Sequence, residues 1–556
     1  MKIKEKIEKW TKETLNTGKV ILVHPKDIKN GDYSFFSSSE NSEKDVERLN
    51  ENKIKEIEKI EVVGKFINFH LSKEFFAEAV SEINKQKEKF GSNNLLEDQK
   101  IIIEYTNTNV LKPMHIGHLM GNVIGESLSR IIENSGAKTK RNTYQGDTGL
   151  HIAKAVWGIR KNGGQKEGDL STKADYIGRS YALGANAYED DEKAKNEIIE
   201  INKKLFEQSD KELVDLYKWG RQVSLDHFEE LYKKLSTKFD YYFFESQVAE
   251  DALKIVKENI GNVFEESDGA IVFRGEKFDP KLHTRVFVTS QNIPTYEAKD
   301  IAHAIRKEKE FKSDKSIIVT ANEQDEYFKV VIKTLEQINK EIADKTTHLS
   351  HGMLKLPTGK MSSRKGNVIT GESLIKKVEE LVVEKIKDRE FDDKEKNEIT
   401  EIVAIGAIKY SILRQAIGGD IIFDFGKSIS FEGDSGPYLQ YTAVRANSVL
   451  KNAKKLDHTL KISKGTFDTW ETIEVEKMLY RFPEVVERAG KEYAPHHIVT
   501  YLTELAAAFN SFYTKEKIID EANLNASAYK IALTQAIFHT LHNGLYLLGI
   551  KVPERM

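Results

Sequence analysis

The stretch Ile101–Tyr144, IIIEYTNTNVLKPMHIGHLMGNVIGESLSRIIENSGAKTKRNTY, reads as a complete β-α-β unit. Ile101-Ile102-Ile103-Glu104-Tyr105 is a short apolar run of the kind found in a central parallel strand, buried on both faces. A loop to Met114 leads into a predicted helix from about His115 to Asn134. Its apolar residues Leu119, Ile124, Leu128, Ile131 and Ile132 recur at helical spacing, and Gly136 supplies the stop. A second strand is predicted over Thr139–Tyr144. The helix opens with His115-Ile116-Gly117-His118, two imidazoles at i and i+3 on one face of the first turn. Unpaired backbone N–H groups at a helix start suit a phosphate, and Gly117 leaves room for a base or ribose. Two blander readings stand beside this one: incidental surface histidines, or a metal site. Against the metal, H-x-x-H lacks the i, i+4 spacing and the general-base glutamate of zincin helices.

Outward from this unit, Lys154 to about Gly261 is charged, periodic and predicted helical, an insertion into the sheet. Strand signals return at Gly269–Phe273, Arg285–Val288, Ser316–Ala321 and His348–Leu354. An interrupted and resumed series of this kind predicts a Rossmann-like, doubly wound α/β domain with a parallel sheet. Upstream, a small α+β domain is expected. It has a helix near Ile3–Thr17, a strand at Lys19–His24, a Ser/Asn loop from Ser34 to Ser42, a strand at Val62–Leu71, a helix at Lys73–Lys89 and a linker at Gly91–Asn94. Downstream, helices are predicted at Glu398–Gln415, Pro437–Lys455, Thr472–Ala489, Pro495–Tyr513 and Ala526–Leu548, an all-α bundle. The expected domains are 1–98, 99–378 with the insertion at about 154–261, and 379–556.

The chain has 556 residues, 31% charged, with a formal net charge of −3 and no cysteine. Disulfides and thiolate zinc sites are excluded, and no structural metal is expected. No apolar run approaches the length needed to cross a bilayer, and the N-terminus shows no signal peptide, so a cytoplasmic protein is expected. A near-neutral net charge means that a polyanionic partner would need local basic surface.

A second motif, Lys360-Met361-Ser362-Ser363-Arg364-Lys365, follows the strand signal at His348–Leu354 and is flanked by Gly359 and Gly366. Alone it could be a solvated basic loop. Paired with the histidines it supplies cations for charge building on a departing pyrophosphate.

KPMHIGH at Lys112–His118 and KMSSRKG at Lys360–Gly366 resemble the signatures of class I aminoacyl-tRNA synthetases, and in particular of the arginyl-tRNA synthetase family. EYTNTNVLKPMHIGHL (Glu104–Leu119), YQGDTGLH (Tyr144–His151), DSGPYLQYTAVRANSVL (Asp434–Leu450), APHHIVTYLTELAAAFNSFY (Ala494–Tyr513), LLGIKVPERM (Leu547–Met556) and GKFINFHLS (Gly64–Ser72) extend the similarity over nearly the whole chain.

The resemblance implies attack of the arginine carboxylate on the α-phosphorus of ATP, then transfer of the arginyl group to tRNA(Arg). His115, His118, Lys112, Lys360 and Arg364 would be catalytic. ATP, with Mg2+, would be held by His115, Gly117, His118, Met353, Lys360, Ser362 and Ser363. Ser363 stands where most class I enzymes have a second lysine, and Lys112 would substitute for it, as is common in arginine enzymes.

Carboxylates suit a planar guanidinium. By resemblance Asp300 and Tyr296 would hold it, with Glu104, Asn109 and Gln324 as further arginine contacts. Read without the family, Asp300 is a helix-surface carboxylate and Tyr296 partly core. For tRNA, Phe66 and Asn68 in the lead domain and Tyr438, Gln440, Tyr441 and Arg445 in an anticodon-binding bundle are implied, about half of the bundle residues being expected to pack in the core. The family default is a monomer with no membrane association. The rival readings are a class I synthetase for another amino acid and a catalytically silent, tRNA-binding relative.

Overall fold

The computed structural model describes residues 3–37, 41–355, 370–455, 470–520 and 523–556. Its centre is a five-stranded parallel sheet of β1 (Lys100–Glu104), β2 (Lys138–Gln145), β3 (Tyr241–Phe244), β4 (Lys315–Ala321) and β5 (Thr346–His351). The order is β3-β2-β1-β4-β5. The chain moves outward from β1 to β3 and then returns to lay β4 beside β1, in register Ile317↔Ile103. The carboxyl ends of β1 and β4 therefore border a topological switch point, where open α/β sheets bind ligands. Ile101, Ile102 and Ile103 are all buried, as a strand covered on both faces requires.

The helix Ile116–Asn134 follows β1 and is buried along most of its length. It lies so close to the sheet that a Cβ on Gly125 would stand 2.2 Å from Cγ of Tyr105. That ring is itself fixed, since its hydroxyl donates to Glu126 Oε2 at 2.7 Å. Gly125→Ala is expected to cost about 3 kcal/mol, the upper part of the usual overpacking range, because the ring has nowhere to retreat. A thermal or urea melt within error of wild type would contradict this packing.

Several expected elements are corrected. The predicted strands Gly269–Phe273 and Arg285–Val288 exist, as Ala270–Arg274 and Thr284–Val288, but they join Glu265–Ser267 in a separate antiparallel sheet. Asp268 and Gly269 are both left-handed (φ 49° and 77°), the two-residue turn that Asp-Gly favours, so these strands close locally. The insertion is not wholly helical, because it contributes β3, the edge strand on β2.

In the lead domain the expected Ser34–Ser42 loop overlaps the strand Tyr33–Phe36 at one end and the start of the helix Ser42–Glu51 at the other. Lys19–His24 makes only a single bridge, Val23↔Ser34, and Val62–Leu71 belongs to a hairpin of Ile57–Val63 and Phe66–Leu71. The expected helix Thr472–Ala489 is two, Glu474–Leu479 and Phe482–Glu492, the second opening on Pro483.

The Gly91–Asn94 segment is tied to the end of the Ile116–Asn134 helix: Asn93 N donates to Asn134 O at 3.2 Å, and Asn134 Nδ2 to Gly91 O at 3.1 Å. The lead domain docks on the C-terminal helices, with Tyr480 in its core and Tyr33 donating to Glu484 at 2.6 Å. Among the described residues no helix is long and apolar enough to cross a membrane.

Candidate active site

His115 is the N-cap of Ile116–Asn134, and its Nδ1 accepts from the backbone N of His118 at 3.3 Å. His118 Nδ1 reciprocally accepts from the backbone N of His115 at 3.3 Å. The rings stack with centroids 3.5 Å apart. Because both Nδ1 atoms accept, each ring's proton sits on Nε2 and points away from the cap. Burial, reinforced by the charge of Lys112, pushes His115 down to about 4. Burial, with the neighbouring His115 and Lys112, pushes His118 well below the usual imidazole range. The pair is thus two neutral, aligned N–H donors. Gly117 is needed here, since a Cβ would lie 3.0 Å from the His115 ring.

Thr370 forms an antiparallel bridge with His115, and Gly371 N donates to Met114 O at 2.8 Å. On the other side Leu354–Lys355 pairs with Ile421–Ile422, and Met353 takes part through Ile421 N donating to its carbonyl at 2.8 Å. The chain between these anchors carries Lys360, Ser362, Ser363 and Arg364, which lie outside the described residues. The anchor at Thr370 brings the chain that follows them directly against the histidine cap. Lys112 is half-buried, with its ammonium 5.3 Å from the ring centre of Tyr181 in the insertion.

The helix Tyr296–Glu310 carries an acidic pocket. Asp300 Oδ2 accepts from the hydroxyl of Tyr327 at 2.6 Å. Burial lifts its carboxyl to about 8. The Tyr327 hydrogen bond opposes that, and the charges of Glu104, Glu245 and Glu297 add to it. No cation among the described residues pairs with Asp300.

Glu104, at the end of β1, differs. Lys307 Nζ and His303 Nε2 each reach its Oε2 at 2.8 Å, and Asn142 Nδ2 at 3.1 Å. Burial raises it, but Lys307 and His303 outweigh burial and hold it well below the usual range. Among the described residues its Oε1 takes only Asn107 Nδ2, at 3.2 Å.

Tyr296 is 52% exposed and opens the same helix, its hydroxyl 3.8 Å from the Cβ position of Gly149. Asn109 bridges to Gly146, whose Cβ position lies 2.1 Å from Asn109 Oδ1, so only glycine fits there. Gln324 is exposed at the carboxyl end of β4. The fold therefore gathers Glu104, Asn109, Asp300, Tyr296 and Gln324 around the carboxyl ends of β1, β2 and β4.

Sequence reasoning missed Tyr327, His303 and Lys307. The last two were legible, because Tyr296, Asp300, His303 and Lys307 follow one helical face at i, i+4, i+7 and i+11. Lys299 was also missed. It is buried against Glu245 Oε2 at 2.8 Å and Thr148 Oγ1 at 2.9 Å.

On the distal surfaces, Phe66 is 43% exposed and packs edge-to-face on Phe36. Asn68 is only 3% exposed, in the strand Phe66–Leu71 with Gly31 close to its Cβ, the placement of a residue that supports the small sheet. Gln440 is fully buried and donates to Ile402 O at 3.1 Å and Lys551 O at 2.7 Å, which places it among the bundle residues packed in the core. Tyr438, Tyr441 and Arg445 share the other face of their helix. The guanidinium of Arg445 lies 4.7 Å from the Tyr441 ring and 5.0 Å from that of Tyr513, and Tyr438 accepts from Asn510 at 3.0 Å.

Residues 79–425 match the family described as class I (R) tRNA synthetases, catalytic domain, and residues 439–556 match the DALR anticodon binding domain. The arginine–tRNA ligase of Borrelia turicatae is 31% identical over 100% of this chain and 99% of its own. That of Borrelia hermsii is 33% identical over 89% and 86%. The structure of Thermus thermophilus arginyl-tRNA synthetase covers 100% of both chains with a TM-score of 0.77 at 22% identity, a likeness of fold.

Proposed function

The chain belongs to the arginyl-tRNA synthetase family, and from that premise we propose how its residues divide the work of an ATP-dependent arginine–tRNA ligase. The reaction joins arginine to AMP with release of pyrophosphate, then moves the arginyl group to tRNA with release of AMP. ATP enters as its magnesium complex, the ion travelling with the triphosphate.

The Nε2–H groups of His115 and His118 donate to oxygens of the α- and β-phosphates, and their bonds tighten as charge builds at the five-coordinate phosphorus. Gly117 lets the nucleotide approach the helix start. Met353 borders the adenine side. Lys360 and Arg364, with the hydroxyls of Ser362 and Ser363, take the β- and γ-phosphates, and Lys112 supplies the charge that a second loop lysine gives elsewhere.

Arginine binds with its guanidinium on Asp300 and Tyr296, and Gln324 nearby. Asn109 and Oε1 of Glu104, the less heavily engaged of its two oxygens, face its polar backbone groups, while Lys307 and His303 hold Glu104 in place. One observation carries the arginine reading: Asp300 is a half-buried carboxylate near the charges of three other carboxylates and, among the described residues, without a cation partner. A site of that kind gains most from a permanently charged, planar ligand.

Charging of total tRNA with each amino acid in turn tests the function. Arginine alone should be esterified, and preferential charging of any other amino acid, or of none, overturns it. A silent relative would fail this assay altogether.

The lead domain over 1–98 is proposed to touch tRNA through the exposed Phe66. The helical domain over 379–556 would stack anticodon bases on the Tyr441–Arg445–Tyr513 surface. Arg445→Ala is expected to raise KM for tRNA about tenfold, the scale of one lost base stack, with KM for arginine and ATP unchanged. An unaltered KM for tRNA would remove this surface from the interface. We further propose a cytoplasmic monomer.

A further inference from the structure

We propose that Tyr144 is a further specificity-determining residue of the arginine pocket, its hydroxyl accepting an N–H of the guanidinium beside Asp300. This deepens the arginine reading and rests on it. Tyr144 lies at the carboxyl end of β2, is 9% exposed, and its hydroxyl has no protein hydrogen-bond partner among the described residues.

Other deeply buried phenols here are all engaged: Tyr105 on Glu126, Tyr232 with Thr108, Tyr501 on Met478 O, Tyr327 on Asp300. A buried hydroxyl left without a partner is costly, so an orphan in a site points to a group supplied from outside.

The ring is firmly placed. It stacks on His303 with centroids 4.0 Å apart and planes 6° apart, and His303 is one helical turn from Asp300 on the same face. The backbone N of Tyr144 is also fixed, donating to Asn107 Oδ1 at 2.9 Å. Burial, followed by the charges of Asp300, Glu245, Glu104 and Asp147, keeps the phenol protonated.

A guanidinium offers five N–H donors in a rigid fork and accepts nothing. Asp300 has one oxygen already engaged by Tyr327, so it cannot satisfy all of them. A neutral phenol oxygen adds an acceptor without adding another negative charge to a crowded cluster. The compact ammonium of lysine, carried on a differently shaped end group, could not meet both acceptors in the same geometry.

Tyr144→Phe retains the ring and its stack on His303 and removes only the hydroxyl. In tRNA charging, KM for arginine should rise at least about tenfold, the worth of a hydrogen bond to a charged group, with KM for ATP unchanged. The melting temperature without arginine should hold or rise, since an unpaired buried hydroxyl has gone, while the upward shift on adding arginine should shrink.

An unchanged KM for arginine in a folded Phe variant overturns the proposal. So does a fall in the arginine-free melting temperature with KM unmoved, which would mark a purely structural hydroxyl. Wild-type enzyme in the same assay separates the two levels. If wild type fails to charge arginine the underlying reading fails, and if it succeeds while the variant equals it, only the role of Tyr144 does.

Discussion

Asparagine in place of Asp300 is expected to raise KM for arginine on the order of a thousandfold, the scale of losing one partner of a buried, hydrogen-bonded charge pair. Asparagine keeps the shape and can still accept from Tyr327, so the change isolates the charge. KM for ATP should move little, because the nucleotide is held by the histidine cap and not by the 296–310 helix.

The pH dependence gives a second readout, and its sign follows from burial. Asp300 is lifted to about 8 in the protein without substrate, so near neutrality it mostly carries a proton. Only the carboxylate pairs with a guanidinium, so arginine binding expels that proton. Affinity for arginine should therefore rise with pH, up to about tenfold per unit below 8, and level off above it. The same raised value means that Asp300 favours the substrate-free fold most below the ordinary carboxylate range. That contribution is lost as pH rises towards 8, and arginine should restore it. In Asp300→Asn the slope should vanish. A variant whose arginine KM stays within a few-fold of wild type would remove Asp300 from the pocket.

The sheet centre was readable because β1 and its helix are dictated by local rules: three consecutive isoleucines, helical spacing and a glycine stop. Pairing was not. The strands at 270–274 and 284–288 look like any central strand, and only the left-handed Asp268-Gly269 turn, which folds 265–267 back on 270–274, marks the start of a local antiparallel sheet. The strand Tyr241–Phe244 hid inside a charged, helical insertion because edge strands are short and carry little pattern.

Similar limits apply to the site. Asp300 and Tyr296 were reached only through resemblance, since in isolation both look like helix surface. What makes Asp300 unusual is the convergence of Glu104, Glu245 and Tyr327 from separate elements on a helix that already carries Glu297. Gln440 and Asn68 show the opposite limit. Motif position suggested exposure, whereas the close approach of Gly406 to Gln440 and of Gly31 to Asn68 buries them.

Removing the His118 ring should act on rate rather than on nucleotide binding. With Nδ1 committed to the cap, Nε2–H is the donor that remains, and its bond is strongest when charge develops on the phosphate. His118→Ala is expected to lower kcat about 100- to 1000-fold with KM for ATP nearly unchanged, the effect of deleting one preorganised transition-state donor. The variant also loses half of the reciprocal cap, which should cost about 1 kcal/mol in a melt. That loss is too small to explain the rate by unfolding.

Since the two rings stack and cap each other, the losses in His115→Ala and His118→Ala should not add. The double variant should sit close to the worse single one. Burial keeps both imidazoles neutral near pH 7, His115 pushed down to about 4 and His118 also well below the usual range. If they act as neutral donors, kcat at saturating arginine should carry no histidine titration between pH 5.5 and 8 (roughly the span an ordinary imidazole would titrate across). A fall in kcat through about 6.5, abolished in His118→Ala, would mean that a charged imidazolium does the work and that the cap does not set the protonation state.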